Sequence, residues 1–234
     1  MPHVISDAEW KTIIDNRVAG TTFRMALIKD NNGVSSTFTA DAGADTITTA
    51  GGGSFVNLVN GCRVTLTTSG SFPGGLAGST QYRVINASGA TCQLCLESTF
   101  DRTTKSGTPI DISSAGTGTH TITELTLNVR FDPYLEQWVR HEANYGTSGR
   151  QTFTLAPAAL PATIGGIVET PSITAIFTPD ASFTYRQVLI IRGGSANAGD
   201  VTGALSDVDD SETTNTVQGG LGKNIKYEMQ NRVA

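Results

Sequence analysis

The feature that most limits the fold of this chain is a long stretch of short threonine-rich segments separated by glycine-rich turns. The stretch extends from Ser36 to about Ile122, in a chain of 234 residues that contains 34 threonines. Threonine favours strands and glycine favours tight turns, and short strands at close spacing are typical of a small barrel or sandwich. The predicted strands of this stretch are Ser36 to Ala40, Thr46 to Thr49, Arg63 to Thr68, Gln81 to Asn86, Thr91 to Leu96 and His120 to Ile122.

The sequence on either side of this stretch has a different pattern. Ser6 and Glu9 form a capping-box motif, which predicts a helix from about Asp7 to Val18. Apolar and polar residues alternate from Thr21 to Lys29 and again from Leu125 to Phe131, so both segments are expected to be strands that pair with each other. The stretch between them is accordingly predicted to be an insertion at the tip of a hairpin.

The C-terminal part is expected to complete the domain that carries this insertion. Its most apolar run, Val188 to Ile191, predicts a central strand, whereas Pro133 to Tyr145 is compatible with one helical turn or with irregular strand. The predicted fold is mainly β, with an N-terminal helix plus a β-sandwich parent domain (residues 1–34 and 124–234) and an inserted small β-barrel (residues 35–123). Further strands are predicted at Ser172 to Thr178, Val201 to Leu205, Thr213 to Val217 and Asn224 to Met229.

The charge of the chain argues against several kinds of partner. The net charge is −5, charged residues make up 16%, and the arginines and lysines are scattered. Nucleic-acid binding depends on clustered cations, so the chain is expected not to bind nucleic acid. It contains no run of 18 apolar residues and no basic segment followed by an apolar one at its start, so neither a membrane span nor a secretion signal is expected. We expect it to be made in a cytoplasm.

Three cysteines are the first candidates for chemistry. Cys92 and Cys95 have the spacing of a zinc or redox motif, but a second ligand pair is missing and Cys62 stands far away in the sequence. On a strand, residues three apart point to opposite faces, so these two sulfur atoms would diverge. We expect all three to be buried structural thiols, with no bound metal or cofactor.

The histidines and the acidic residues offer no better site. His3 lies near the start, His120 lies beside a Gly-Thr-Gly turn, and His141 lies in a stretch that looks solvated. The acidic run from Asp207 to Glu212 fails as an EF-hand loop because its sixth position is not glycine, and its twelfth, Gln218, is not glutamate. The run is therefore predicted to be an acidic hairpin loop, and no catalytic residue is expected in the chain.

The predicted helix carries the one candidate interface. Trp10, Ile13, Ile14 and Val18 form an apolar stripe at helical spacing on a helix of about three turns. A helix this short is marginal alone in water, and a β-sandwich is complete without it. The stripe is therefore predicted to dock on a neighbouring subunit, the alternative being that it covers its own domain.

Two parts of the sequence resemble structural proteins of tailed bacteriophages. The inserted stretch resembles a small β-barrel module of phage virion proteins, which is distantly similar to the four-stranded insert half-domain of ubiquitin-activating enzymes. This resemblance lies in Thr37 to Asp41, Asp45 to Thr48, Val59 to Leu66, Ser69 to Leu76, Gln81 to Ile85 and Ser114 to His120. A looser resemblance to phage structural proteins covers Tyr185 to Gly194, Thr202 with Gly203, and Asn231 to Ala234.

The resemblance implies a virion component with no enzymatic activity, because the module carries no catalytic residues. Such a protein would belong to the tail, the neck or the decoration of the capsid, and its partners would be other virion proteins and copies of itself. The alternative is a receptor- or glycan-binding module of a tail fibre or tip, in which the insert contacts the host surface. A hydrolytic enzyme on the same scaffold is the weakest hypothesis, because no catalytic motif was found.

Overall fold

The protein is described by a computed structural model, and its fold is mainly β, as the sequence predicts. The structure describes residues 7–18, 20–31, 33–53, 55–128, 130–143, 145, 149–158, 170, 172–217 and 223–227. Its elements are α1 (Asp7–Val18), β1 (Phe23–Ile28), β2 (Ser35–Asp41), β3 (Thr46–Thr49), β4 (Arg63–Thr68), β5 (Tyr82–Ser88), β6 (Thr91–Leu96), a short 3-10 helix (Glu97–Thr99), β7 (His120–Glu124), α2 (Leu135–Val139), β8 (Gln151–Phe153), β9 (Ile173–Phe177), β10 (Phe183–Arg192), β11 (Ala204–Val217) and β12 (Lys223–Tyr227).

The chain divides into two compact units, one of which is interrupted by the other. The first, called the sheet unit, takes its described residues from 1–29 and 142–234, and the second, called the barrel unit, comprises 30–141. The barrel unit is wider than the predicted module of residues 35–123, chiefly because residues 125–141 belong to it.

Two antiparallel sheets share one core in the sheet unit. The larger has the strand order β11-β10-β1-β8, and the smaller pairs β12 with β9. β10 lies inside the larger sheet, which confirms the central strand predicted from its apolar run. Apolar side chains from both sheets meet in the core, including Met25 and Leu27 of β1, Phe177 of β9, Ile190 of β10 and Ile225 of β12.

The barrel unit is built around a closed barrel with the strand order β2-β3-β6-β5-β4-β7. Side chains alternate between the two faces of each strand, so every second residue points into the barrel. The bounds predicted for β3, β4 and β6 agree with the structure. The interior is filled by apolar side chains, among them Phe38, Ile47, Val64, Leu66, Val84, Leu94 and Ile122.

The strand predicted from Leu125 to Phe131 is wrong. None of its described residues lies in a strand, and β1 pairs instead with β10 and β8. The reason is a turn built on side chains: the Asn128 Oδ1 atom accepts a hydrogen bond from the Arg130 amide at 2.9 Å, and Asp132 Oδ2 accepts one from the Asn128 amide at 2.9 Å. Such local bonds compete with strand pairing.

The acidic run is not a hairpin loop either. Asp207 to Asp210 belong to β11, where they pair with the residues from Ile190 back to Gln187 of the central strand. Only Ala204 and Leu205 of the strand predicted at Val201 to Leu205 lie in this strand, which begins at Ala204 and continues through the strand predicted at Thr213 to Val217. Pairing to the strongly apolar β10 outweighs the low strand preference of aspartate, which is only a weak bias.

The boundaries of the two units generate a prediction about deletions. Ile28 forms a bridge with Glu142, and the Ala143 amide donates to the Leu27 carbonyl at 2.9 Å, so the two ends of the sheet unit at this boundary are adjacent. Replacing residues 30–141 by a two-residue Gly-Ser link should therefore give a folded protein that unfolds cooperatively, as measured by circular dichroism during heating.

The matched comparison is deletion of residues 35–123, the boundaries expected from the sequence. This variant keeps Asp132 but removes Arg63 and Arg83, whose guanidinium groups bind it. A buried carboxylate without its cationic partners lowers the free energy of unfolding, so this variant should be less stable than the first or insoluble. Equal stability of the two deletions would contradict the boundaries that the structure gives.

Candidate functional site

The helix stripe predicted as a docking surface is largely part of the sheet unit's own core. The Ile14 and Val18 side chains are each 3% exposed and pack in one cluster with Phe23 and Met25. The prediction that these two residues dock on a partner is therefore wrong, because they cover the core of their own unit. Ile13 is 41% exposed and is available for contact. The side chain of Trp10, like Ser6 of the capping box, lies outside the described residues.

The cysteines are buried free thiols, as predicted. Cys92 packs inside the barrel, whereas Cys95 lies on the opposite face of β6, where a Cβ atom on Gly107 would come within 2.6 Å of its sulfur. Burial raises the pKa of Cys62 to about 11 and that of Cys92 to about 12. Both thiols are thus protonated near neutral pH, and a protonated thiol is a poor nucleophile and metal ligand.

His120 and His141 are buried, and the solvated setting expected for His141 is wrong. The His120 Nδ1 atom lies 2.9 Å from Thr68 Oγ1, and its Nε2 atom lies 3.0 Å from the Ala115 carbonyl oxygen. His141 is 5% exposed, and its Nε2 atom lies 2.8 Å from the carboxylate of Glu124. Both rings are thus held within the barrel unit, and His3 lies outside the described residues.

Glu124, at the end of β7, is the centre of a buried charged cluster. Its Oε1 atom accepts a hydrogen bond from Arg140 Nη2 at 2.7 Å, and Arg140 also donates to the carbonyl oxygens of Val56 and Asn57. Burial acts to raise the pKa of Glu124, but the hydrogen bond from His141 and the charge and hydrogen bonds of Arg140 outweigh it. The pKa of Glu124 is therefore lowered, and the carboxylate remains ionised.

A second buried carboxylate, Asp132, binds two arginines of the barrel. The Arg63 Nε and Nη2 atoms donate to its two oxygens at 3.0 and 2.7 Å, and Arg83 Nη1 lies 3.5 Å from Oδ1. Arg83 also donates to the Gly61 carbonyl at 2.8 Å and to Glu97 at 2.5 Å. Asp132 thus ties β4 and β5 to the segment that leads into α2.

A third buried pair organises a loop of the sheet unit. Arg150 Nε and Nη2 donate to the two oxygens of Glu142 at 2.8 and 2.7 Å. The Gly199 amide donates to Glu142 at 2.7 Å, and Arg150 also donates to the carbonyl of Asp200 at 2.9 Å. Backbone amides, first that of Ser195, hold the pKa of the half-buried Asp200 well below its usual range. This arrangement fixes the loop that follows β10.

Sequence reasoning missed these clusters, because their members are far apart along the chain. Arg63 and Asp132 are separated by 69 positions, and Arg83 and Asp132 by 49. One signal was available: an arginine at an outward position of a predicted strand, in a chain poor in charge, needs an anionic partner or solvent.

The outer face of β4, β7 and β2 carries a grid of hydroxyl side chains. The strand registers place Thr65, Thr123 and Ser35 in one row and Thr67, Thr121 and Thr37 in the next. Neighbouring positions lie about 4.8 Å apart across the strands and about 6.7 Å apart along them. Ser35, Thr37 and Thr67 are exposed, and the other three are half-buried. We call these six residues the hydroxyl grid; none of them is charged.

Comparison with protein-family models, curated proteins and solved structures found no match. Within the described part of the chain, no group of three or more histidine, cysteine or acidic residues is arranged to hold a metal ion. The helices that the structure describes include none that is long and apolar enough to cross a membrane.

The Glu124 cluster leads to a prediction about stability. Glu124→Gln should lower the free energy of unfolding by about 3–5 kcal/mol, because it leaves the buried Arg140 cation without its counter-charge. Glu136→Gln is the matched control: Glu136 pairs with Lys105 where both side chains are partly exposed, and such pairs contribute about 0–1 kcal/mol. Urea unfolding of the two variants and the parent protein measures the difference.

The pH dependence of the free energy of unfolding of the same proteins tests whether the charge on Glu124 causes this difference. Since the folded-state pKa of Glu124 is below its ordinary value of 4.5, the stabilisation is complete above that value and is lost as the pH falls through the folded-state pKa. The parent protein should therefore lose more stability on acidification than Glu124→Gln does. If both proteins lost the same free energy of unfolding on acidification, carboxylates other than Glu124 would control the acid sensitivity.

Proposed function

We propose that this protein is a non-enzymatic structural component of a tailed-phage virion and that it acts through subunit–subunit contacts. Its place would be the tail, the neck or the capsid surface, and it would reach the virion from the cytoplasm of the host bacterium. The main support for the proposal is that three buried carboxylates all form ion pairs and hydrogen bonds within their own unit. Glu124, Asp132 and Glu142 are each bound by two or more groups of their own unit, so these carboxylates stabilise the fold of that unit.

Two further observations support this proposal. The thiols of Cys62 and Cys92 are protonated and enclosed, which suits a structural role better than a catalytic one. The resemblance of residues 35–123 to a virion module points to the same class of protein. Rigid units held by buried ion pairs are suited to a particle built from many identical contacts.

The proposal predicts that the chain is present in purified particles. In the phage that encodes it, quantitative mass spectrometry of gradient-purified virions should find the chain at a fixed ratio to the major capsid protein. A stop codon early in its gene should give particles that lack one defined part by electron microscopy. Complete, infectious particles without the chain would contradict the proposal.

We infer a second candidate function, recognition of a neutral glycan, from the hydroxyl grid. Its threonines present hydroxyl groups for hydrogen bonds and methyl groups for apolar contact, with no charge in the grid to select an ionic ligand. This function belongs to the alternative of a tail-fibre or tip module, with the barrel unit contacting the host surface.

This second candidate predicts binding that depends on the grid. The wild-type chain should bind one or more neutral oligosaccharides on a glycan array, and a Thr37→Glu, Thr67→Glu variant should lose at least tenfold of that signal, because it places charge at both ends of one row. Thr108→Glu changes an exposed threonine outside the grid and should bind as the wild type does. An array with no signal for the wild type would rule this function out.

A further inference from the structure

Asn60 and Gly61 lie in the turn before β4, and this pair of residues is chemically reactive. In an Asn-Gly pair the main-chain nitrogen of the glycine can give up its proton and attack the Cγ atom of the asparagine. The bond from Cγ to Nδ2 then breaks, ammonia leaves, and a five-membered succinimide ring remains. Water opens this ring to aspartate or isoaspartate. Glycine favours the attack because it has no Cβ atom to hinder it.

The attacking nitrogen is already hydrogen-bonded in the closed barrel. The Gly61 amide donates to the carbonyl oxygen of Val84 in β5 at 2.7 Å, and the Val84 amide donates to the Cys62 carbonyl at 2.9 Å. Arg83 Nη1 donates to the Gly61 carbonyl at 2.8 Å, which fixes the other side of the residue. While these bonds hold, the Gly61 nitrogen keeps its proton and cannot turn toward the side chain of Asn60.

The side chain of Asn60 is bound to the same strand. Its Oδ1 atom accepts a hydrogen bond from the Ala87 amide of β5 at 2.8 Å. This bond polarises the side-chain carbonyl group, but it also fixes the direction of the side chain. Both reacting groups are therefore bound to β5, and separation of this turn from β5 would free both at once.

The surroundings of Gly61 determine what the reaction would do to the barrel. Gly61 has a φ of 90°, and a Cβ atom on it would lie 3.2 Å from Gln137 Nε2 and 3.3 Å from the ring of Tyr134. Isoaspartate at position 60 would lengthen the main chain of this crowded turn by one methylene group. The modified chain would then not restore the hydrogen bonds of Gly61 and Asn60 to β5.

We propose that Asn60 is a site of spontaneous deamidation that the barrel protects while it is closed and that reacts when the turn separates from β5. Local opening of this kind occurs in native proteins, at a free-energy cost that varies from one region to another. The reaction would convert a reversible opening of the barrel into a permanent one. This inference concerns the barrel unit alone and does not depend on the virion role.

Peptide mass spectrometry of the full-length chain, incubated at mildly alkaline pH, tests the proposal. Conversion of Asn60 should be at least tenfold slower in the folded protein than in the protein unfolded by urea at the same pH and temperature. The other Asn-Gly pair of the sequence, Asn32 with Gly33, should also react in the unfolded chain, which checks that the conditions support the chemistry. Equal rates at Asn60 in the folded and unfolded protein, or no reaction there in the unfolded protein, would overturn the proposal.

A variant that leaves the reacting residues unchanged tests whether opening limits the reaction. Glu124 pairs with Val64 of β4, and Glu124→Gln is expected to destabilise the barrel. It should therefore raise the rate at Asn60 at least tenfold, because the rate follows the population of the open form. Glu136→Gln, the matched control, should react as the wild type does. If Glu124→Gln were less stable to urea but reacted no faster, opening of the barrel would not be the limiting step and the proposal would be wrong.

Discussion

The barrel unit depends on the carboxylate of Asp132. It is almost completely buried, and two arginines from neighbouring strands of the barrel bind it. A buried charge destabilises a fold unless it is paired and hydrogen-bonded, so the contact specifies one position for the segment around it. This is why residues 125–141 form one compact unit with the barrel and do not extend the sheet unit as a strand.

The two units differ in whether the edges of their sheets are paired. The barrel closes on itself, so each of its strands is paired on both sides and none presents an unpaired edge. Among its described residues, the sheet unit has two open sheets, with β8 and β11 at the ends of the larger one. In that unit, Ile14 and Val18 of α1 add to the shared core.

Local patterns were sufficient where short-range rules govern the structure. The alternation of polar with apolar residues located β3, β4 and β6, because side chains point alternately inward and outward on any strand of a barrel. The same alternation failed at Leu125 to Phe131, since hydrogen bonds of Asn128 and Asp132 form a turn there. The acidic composition of Asp207 to Glu212 likewise predicted a loop wrongly, because pairing with a strongly apolar strand outweighed local preference.

The sequence by itself determined the mainly β class of the fold and the burial of the cysteines, because composition and periodicity act over short distances. Only the tertiary structure decided which charges meet and where the helix packs. Arg63 and Asp132 are 69 positions apart, and no periodic pattern links them. An apolar stripe indicates that one face of a helix is buried, but it does not indicate which surface buries it. In this protein Ile14 and Val18 pack into the core of their own unit.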